Sequence, residues 1–345
     1  MISRNSVLAF FACGLLAVGV AACGSSSSGS SDPSTITGAG STLVLPLVSK
    51  WESDYNEKEG VAITYGGIGS GGGIDQITAR TVDFGASDAP LTPDQESAGN
   101  GVLQIPWALS ATALSYNVKG IDNGLVLDGP TVADIYLGTI TTWNDPAIQK
   151  LNPGTSLPST KITPVYRSDG SGDTYALTDW LSKISPEWKS QVGVGTEVKF
   201  TTGVGAEHND GVAGVETKTD GSIAYLAASY VQSNDFNQAA LENAAGNAEE
   251  PDVKTIAAAA ATAKSIPPNN AISITDPPAS ANNAYPLSTF TYALVPQDSD
   301  KADALKKFLT YAIGPGQEFG PDLLFATLPA KVLAADKATI AKLGG

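Results

Sequence analysis

Histidine and cysteine are scarce in this sequence, whose 345 residues include one His and two Cys. Zinc sites and disulfide frameworks need clusters of these residues, so the composition argues against both. Positive charge is also scarce, with 20 Lys and Arg against 35 Asp and Glu and a net charge of −15. Such a field repels phosphate backbones, which argues against nucleic acid as a partner. At first sight it also disfavours a small anionic ligand.

The rest of the composition is that of a folded protein. Hydrophobic residues make up 42% of the chain, charged residues make up only 16%, and the sequence contains 36 Gly and 21 Pro. A disordered chain has the opposite balance. At roughly 100–200 residues per domain, the length allows two domains with real cores.

The N-terminus has the pattern of an export signal. Arg4 precedes an apolar run from Val7 to Val20, too short for a membrane span and typical of a signal peptide over residues 1–22. Small residues then lead to Cys23, an arrangement that resembles a bacterial lipobox. We expect Cys23 to carry a lipid such as palmitate and the Ser/Gly-rich residues 23–34 to form a flexible tether. The alternative is an ordinary signal peptide with an incidental cysteine.

Cleavage there would change the thiol and charge content of the chain. Cys13 lies in the discarded segment, so the mature protein would have no thiol free for a disulfide, although exported proteins are permitted disulfides. The one charged residue of the segment is Arg4, so the mature net charge would be −16.

From Pro33 onward, hydrophobic periodicity predicts an α/β protein in which helices cover both faces of a sheet. The predicted strands and helices alternate along the chain. The strands are Thr35–Gly38, Val61–Tyr65, Val82–Gly85, Gln104–Ile105, Ala113–Asn117, Ile162–Arg167, Ser222–Leu226 and Thr289–Val295. The helices are one from Leu43 to Tyr55, one through Ile74 and Ile77, Thr131–Leu137, Thr174–Lys183, Val253–Lys264 and Lys301–Ala312.

Two glycine-rich segments have the residues of an anion site. Thr37–Leu43 passes from glycines to Ser41 and Thr42 at a helix start, where free N–H groups and the helix dipole favour an anion. The simpler interpretation is an N-cap. Gly66–Gly73 contains Ser70 and lets backbone N–H groups approach a small ligand. The same glycines also fit a dinucleotide-binding fingerprint, with Asp88 roughly 20 residues on, or a plain surface turn.

Asp88 ends a third segment, Val82–Pro90, at the carboxyl end of a predicted strand. A carboxylate beside an anion is favourable only if the anion still carries a proton, because an ionised carboxylate only accepts hydrogen bonds. Monohydrogen phosphate has such a proton at neutral pH and sulfate does not, so Asp88 would separate the two ions. A turn or cap residue is the alternative role.

Arg167 opens the fourth segment, which runs to Thr174. Its guanidinium follows a predicted strand and can hold two oxygens of an anion at once, while Ser171–Thr174 begins a helix. Arg167 could instead form a weak surface ion pair with Asp169.

Together these segments resemble the substrate-binding proteins of the phosphate-specific ABC importer. The likeness covers nearly the whole mature chain, because three further stretches share it: Asp134–Gly138, Thr142–Asp145 and Leu151–Gly154. The resemblance implies a type II periplasmic-binding fold with two lobes, each a helix-flanked mixed sheet, joined by two hinge segments. We expect the crossings near Ser110–Tyr116 and Tyr285–Phe290. Lobe 1 would then be residues 35–112 plus 289–345, and lobe 2 residues 113–288.

The resemblance also implies the binding residues and the partners. Phosphate would contact Ser41, Thr42, Leu43, Ser70, Asp88, Arg167, Ser171, Gly172 and Asp173. Many family members have Thr where this chain has Asp173, and the Gly-Asp-Thr form is similar to that of actinobacterial lipoproteins. Asp173 could face the anion through its N–H, accept a second ligand proton, or turn to Arg167. The protein would be a monomeric, lipid-anchored receptor outside the cytoplasmic membrane that delivers phosphate to permease subunits with their ATPase, without a cofactor.

Two other classes compete with this interpretation, a secreted phosphatase or esterase and a surface adhesin that uses the same scaffold. A hydrolase needs a nucleophile and a base, yet no Ser lies in a G-x-S-x-G motif and His208 has no evident Ser partner. We therefore expect His208 to lie in a surface loop or at a helix start and the protein not to be an enzyme. Retention of all four anion segments argues against a mere scaffold.

Overall fold

The computed structural model describes residues 35–345. The predicted signal peptide, Cys23 and the tether of residues 23–34 lie outside the described residues. The strands of the described part are β1 Thr35–Gly40, β2 Ala62–Gly67, β3 Phe84–Ser87, β4 Val102–Asn117, β5 Val126–Leu127, β6 Thr163–Arg167, β7 Val204–Ala206, β8 Ser222–Ala227, β9 Asn237–Gln238, β10 Ala240–Glu242, β11 Ala248–Glu249 and β12 Ser288–Pro296.

Helices separate most of these strands. They are α1 Leu45–Glu59, α2 Gly69–Thr78, α3 Pro93–Gly99, α4 Gly129–Leu137, α5 Pro146–Leu151, α6 Gly172–Ile184, α7 Pro186–Gln191, α8 His208–Lys218, α9 Ala228–Ser233, α10 Val253–Ala260, α11 Ala302–Ala312 and α12 Ala330–Ile340. Two short 3-10 helices cover Pro315–Phe319 and Pro321–Leu323. Side-chain caps begin several of the helices, because Thr92, Asp128 and Ser171 each accept a hydrogen bond from a first-turn N–H.

The main sheet has the strand order β2-β1-β3-β12-β4-β8-β6-β7, with β9 beside β4. Its two ends are parallel: β1 pairs with β2 and β3, and β6 with β7 and β8. Its middle is antiparallel, where β12 pairs with β3 and β4, and β4 with β8. A separate small sheet has the order β11-β10-β5.

Strand β4 joins the two halves of the main sheet. Its residues up to Ala111 pair with β12, and its residues from Thr112 pair with β8. The change of partner falls inside the predicted crossing segment Ser110–Tyr116. The predicted lobe boundaries themselves stay a prediction.

The prediction of two separate strands at Gln104–Ile105 and Ala113–Asn117 was wrong, because both belong to β4. The strand is buried from Gln104 to Tyr116, so its residues show no alternation of polar and apolar character. Pro106 has the character of a strand breaker, yet it lies beside an irregularity in the β4–β12 ladder, where a missing N–H is tolerated. Two predicted helix ends also differ slightly from the structure. Helix α1 begins at Leu45 instead of Leu43, and α10 ends at Ala260 instead of Lys264.

Each half of the sheet packs its own aromatic cluster. On the β1 side, Trp107 contacts Trp51, Phe84 and Phe308 with ring centroids 5.0–6.1 Å apart. On the β6 side, Phe200 lies against Tyr136, Tyr166, Trp188 and Tyr225. Such clusters bury large apolar areas and stabilise the packing within each half. Among residues 35–345, no helix is long and apolar enough to cross a membrane.

Candidate binding site

The four predicted anion segments meet at one place in the structure. Ser41–Leu43 follows β1, Asp88 follows β3, and Arg167 ends β6. Ser70 lies in the first turn of α2, and Ser171–Asp173 caps and begins α6. The carboxyl ends of parallel strands and the starts of the following helices lie at the same edge of an α/β sheet, which is where such folds bind ligands.

The carboxylate of Asp88 is the centre of the half of the site next to β1. Ser41 Oγ lies 2.8 Å from its Oδ1 and 2.6 Å from its Oδ2. Ser70 Oγ donates to Oδ2 at 3.2 Å, and Thr291 Oγ1 donates to Oδ1 at 2.6 Å. All four side chains are essentially fully buried. Three neutral hydroxyls therefore surround this carboxylate.

Arg167 is the centre of the other half. Its Nε donates to Asp169 Oδ1 at 2.7 Å, and its second terminal nitrogen pairs with Oδ2 of the same carboxylate. The remaining terminal nitrogen lies 3.2 Å from both Thr42 Oγ1 and Asp173 Oδ2. Asp169 is thus a bidentate partner that fixes the guanidinium plane. The Arg167 side chain is 1% exposed and the Asp169 side chain 14%.

The side chain of Asp173 turns to Arg167, one of the three arrangements considered for it. Its Oδ1 accepts a hydrogen bond from Thr112 Oγ1 at 2.7 Å, and its Oδ2 accepts one from Asn209 Nδ2 at 3.1 Å as well as facing Arg167. Asn209 Nδ2 also donates to Thr42 Oγ1 at 2.8 Å, so these contacts join segments from both halves of the sheet.

Backbone N–H groups point at two of the predicted serines. Leu43 N and Val44 N donate to Ser41 Oγ at 3.1 and 3.4 Å. Asp173 N lies 3.1 Å from Ser171 Oγ, in the first turn of α6. Ser171 is the N-cap of α6. The N-cap interpretation of Ser41 or Thr42 was wrong, because α1 begins at Leu45 with Val44 as its N-cap and without a side-chain cap. The Leu43 side chain belongs to the core, so Leu43 can offer a ligand only its N–H.

The two halves approach each other through glycines. Gly71 N donates to Gly170 O at 2.9 Å, and a Cβ added to Gly71 would lie 2.9 Å from Gly170 Cα. At the start of α6, a Cβ added to Gly172 would overlap the Asp88 carboxylate. Side chains at these positions would keep the halves apart.

Burial and like charge raise the pKa of two carboxyls here. Burial, and then the negative charge of Asp173, raise the pKa of Asp88 to about 7, although its hydroxyl donors oppose the shift. Burial also raises the pKa of Asp173, against the attraction of Arg167. At Asp169 burial acts in the same direction, but the Arg167 guanidinium outweighs it and holds the pKa below its usual value.

Comparison with known proteins assigns the fold and the family. The PBP superfamily domain matches residues 25–315. The phosphate-binding protein PstS of Xylella fastidiosa strain Temecula1 is 41% identical over 303 residues, which cover 86% of this chain and 82% of that protein. PstS of Pasteurella multocida is 38% identical over 304 residues, or 87% and 88% of the two chains. The chain belongs to the PstS family.

Solved structures agree on the fold. A high-affinity periplasmic phosphate-binding protein, PfluDING, solved with phosphate, has a TM-score of 0.70 at 20% identity over 88% of this chain and 93% of its own. The phosphate-binding protein of Stenotrophomonas maltophilia has a TM-score of 0.68 at 19% identity, with the same coverage. The two-lobed periplasmic-binding fold expected from the resemblance is confirmed. Membership of the PstS family also overturns the dinucleotide-binding alternative for Gly66–Gly73.

Sequence reasoning missed four polar residues that complete this PstS-family site: Thr112, Thr291, Asn209 and Tyr225. The Tyr225 hydroxyl accepts a hydrogen bond from Arg167 N at 2.9 Å. Thr112 lies within one predicted crossing segment, and Thr291 directly follows the other. Each strand carries other hydroxyl residues close by, so no signal in the sequence singled out either threonine. Asn209 has no such signal either, because its neighbours are also polar.

His208 is the first residue of α8, as predicted. Its N–H donates to Asp169 Oδ1 at 3.0 Å, and its ring Nε2 lies 3.9 Å from Asp169 Oδ2. The histidine therefore supports the carboxylate that orients Arg167.

Proposed function

We propose that this protein binds inorganic phosphate outside the cytoplasmic membrane and delivers it to an ABC importer. The observation that carries the proposal is the buried Asp88 carboxylate, held among hydroxyl and N–H groups and opposite a clamped arginine. An anion needs the donors, and only an anion that bears a proton tolerates the carboxylate. The names of the PstS relatives support the same ligand.

We assign the phosphate contacts to the nine predicted residues in four roles. Ser41, Thr42 and Ser70 would offer hydroxyls, Arg167 would offer its guanidinium, and Asp88 would accept the ligand's proton. The N–H groups of Leu43 and Gly172, with the Ser171 hydroxyl, would complete the shell, and Asp173 would add its N–H while its carboxylate stays with Arg167.

Hydrogen bonds to a charged group contribute about 1.5–3 kcal/mol each. Half a dozen of them, less the costs of ordering and desolvation, suffice for micromolar binding or tighter, at about −8 kcal/mol. We place the hinge at the predicted crossings, with lobe 1 as residues 35–112 plus 289–345 and lobe 2 as 113–288. The change of partner along β4 supports the first boundary.

We further propose that Cys23 carries a lipid, that residues 1–22 are removed, and that the protein works as a monomer docking on permease subunits. Labelling expressing cells with a fatty-acid probe tests the anchor. The wild-type chain should take up the label and Cys23→Ser should not. Equal labelling of both would contradict the anchor and leave phosphate binding untouched.

Calorimetric titration of phosphate-stripped protein tests the ligand. At neutral pH we expect saturable binding of phosphate and binding of sulfate weaker by at least two orders of magnitude. Equal affinity for the two ions would overturn the role of Asp88. A parallel assay on phosphate esters addresses the hydrolase alternative, and turnover there would replace the binding proposal.

A further inference from the structure

We infer that Thr291 orients the Asp88 carboxylate by holding Oδ1 from behind, so that Oδ2 is the oxygen that accepts the ligand's proton. The inference rests on the proposed phosphate function and adds a positioning residue to it. Thr291 lies on β12, outside the four anion segments, and its side chain is fully buried. Its Oγ1 donates to Asp88 Oδ1 at 2.6 Å.

Sheet register brings Thr291 to this oxygen. In the β3–β12 ladder Tyr292 is opposite Ser87, so the residue opposite Asp88 is Thr291. On its other side β12 faces β4, and that ladder shifts register between Thr291 and Tyr292. Irregularities of this kind redirect side chains and occur beside functional sites.

The other hydroxyls on Asp88 cannot fulfil this role once phosphate is bound. A hydroxyl has one proton, so Ser41 or Ser70 can donate it either to a phosphate oxygen or to Asp88. Both serines are proposed phosphate contacts, whereas Thr291 is not. Thr291 is therefore the hydroxyl that stays on the carboxylate in the complex.

The direction in which Oδ2 points agrees with these separate roles of Thr291 and the two serines. A Cβ added to Gly172 would overlap Asp88 Oδ2, so this oxygen faces the start of α6 and the other half of the site. Oδ1 faces β12 instead, where Thr291 donates to it. One oxygen is thus anchored to the sheet and the other is turned towards the ligand groups.

The charged and titratable groups around Asp88 come from four elements. Asp173 on α6 raises its pKa by like charge, Tyr65 on β2 and Tyr292 on β12 are neutral phenols, and Arg167 ends β6. Burial is the largest cause of the raised pKa, about 7, and the Thr291 hydroxyl opposes it. Loss of that hydroxyl would leave Asp88 protonated at higher pH.

The test is calorimetric titration of stripped full-length mature protein with phosphate and with sulfate between pH 6 and pH 8. Thr291→Val removes the donor at nearly constant volume. We expect phosphate association to weaken about tenfold at pH 7, the loss typical of a hydrogen bond to a charged group. We also expect the phosphate-to-sulfate ratio to fall further towards pH 6, because a protonated Asp88 can donate to sulfate. Thr291→Ser keeps the donor and should restore the ratio.

Thr289→Val is the matched control, because Thr289 is two residues away on β12 and donates to the Asp88 backbone oxygen, not to its carboxylate. It should leave the ratio and its pH profile unchanged. If Thr291→Val changes affinity for both ions equally at every pH, the residue has only a packing role and the inference fails. Asp88→Asn distinguishes failure of the proposed function from failure of this inference. If the variant keeps the selectivity for phosphate over sulfate, the proposed role of Asp88 fails, whatever the result for Thr291.

Discussion

The two halves of the site handle negative charge in opposite ways. Around Asp88 the partners are the neutral hydroxyls of Ser41, Ser70 and Thr291, and within residues 35–345 no cation donates to its carboxylate. Around Arg167 the charge is largely compensated, since Asp169 grips the guanidinium. Neither half has an excess of positive charge. The contrast shows how a protein with a net charge of −15 can bind an anion, through fixed dipoles and a clamped arginine instead of a basic surface.

The largest expected effect comes from forcing the two halves apart. In Gly172→Ala the new Cβ would overlap the Asp88 carboxylate, so closure around a ligand requires a shift of α6 or β3. Overpacking a tight contact costs about 1–3 kcal/mol, which predicts phosphate affinity reduced by roughly 100-fold at the upper end. Titration calorimetry measures the loss.

Gly214→Ala is the control for this substitution. Gly214 lies within α8, and the added Cβ would meet no described atom within 4 Å beyond its chain neighbours and the helix's own backbone. Alanine there should leave affinity unchanged and slightly stabilise the helix. Wild-type affinity in Gly172→Ala would mean that the two halves need not approach so closely for binding.

A smaller effect should follow from loosening the clamp on Arg167. Asp169→Asn keeps the size of the side chain and removes its charge, so Arg167 loses its bidentate partner. We expect phosphate affinity to fall about tenfold, because the guanidinium is less well oriented. The ratio of phosphate to sulfate affinity should stay near that of the wild type. A change in that ratio as large as for Asp88→Asn would erase the distinction between the two halves.

A buried carboxyl outside the site, Asp336, shows what happens without the hydroxyl partners that surround Asp88. Asp336 on α12 is fully buried and, among the described residues, neither of its oxygens has a hydrogen-bond partner. Burial raises its pKa to about 8, above that of Asp88 with its three hydroxyls. The folded state then holds a proton that the unfolded chain releases near pH 4. The raised pKa of Asp336 therefore contributes to the free energy of unfolding below pH 4, and this contribution is lost as the pH rises to about 8.

Asp336→Asn should remove that pH dependence. We expect the variant to be more stable than the wild type at pH 8 by up to about 5 kcal/mol, and nearly equal to it at pH 4. Urea unfolding at the two pH values measures the difference. Phosphate affinity should not change, since Asp336 lies outside the site. An equal stability change at both pH values would show that Asp336 does not titrate in this range.

The smallest effect concerns the approach of the ligand. The net negative field should slow the encounter with phosphate, so higher salt should speed association slightly by screening the repulsion. Stopped-flow binding from 20 to 300 mM salt would show it, at less than about threefold overall. A clear fall in the on-rate with salt would indicate a positive patch at the mouth of the site.

Most residues of the candidate site were predictable because they lie in local motifs. Ser41 and Asp88 each follow a strand and Arg167 ends one, and the carboxyl ends of parallel strands lie at the same edge of the sheet. Thr291 and Asn209 were not predictable in this way, since their roles depend on register and on contacts to residues more than 160 positions away. The prediction also split β4 into two strands, because a strand that is buried on both faces shows no alternation of polar and apolar residues.

The position of β12 in the sheet has a consequence for the order of folding. This strand lies between β3 and β4, yet it is the last strand to be synthesised, and 170 residues separate it from the end of β4. The sheet that contains β1 to β3 therefore cannot join β4 until residues 288–296 have been synthesised. The intervening strands β6 to β8 have no such dependence and can pair with one another first. Strands β1 to β3 also pair with one another at short separation. Contacts at long sequence separation form slowly, so we expect these two groups of strands to form first and their junction through β12 to form last.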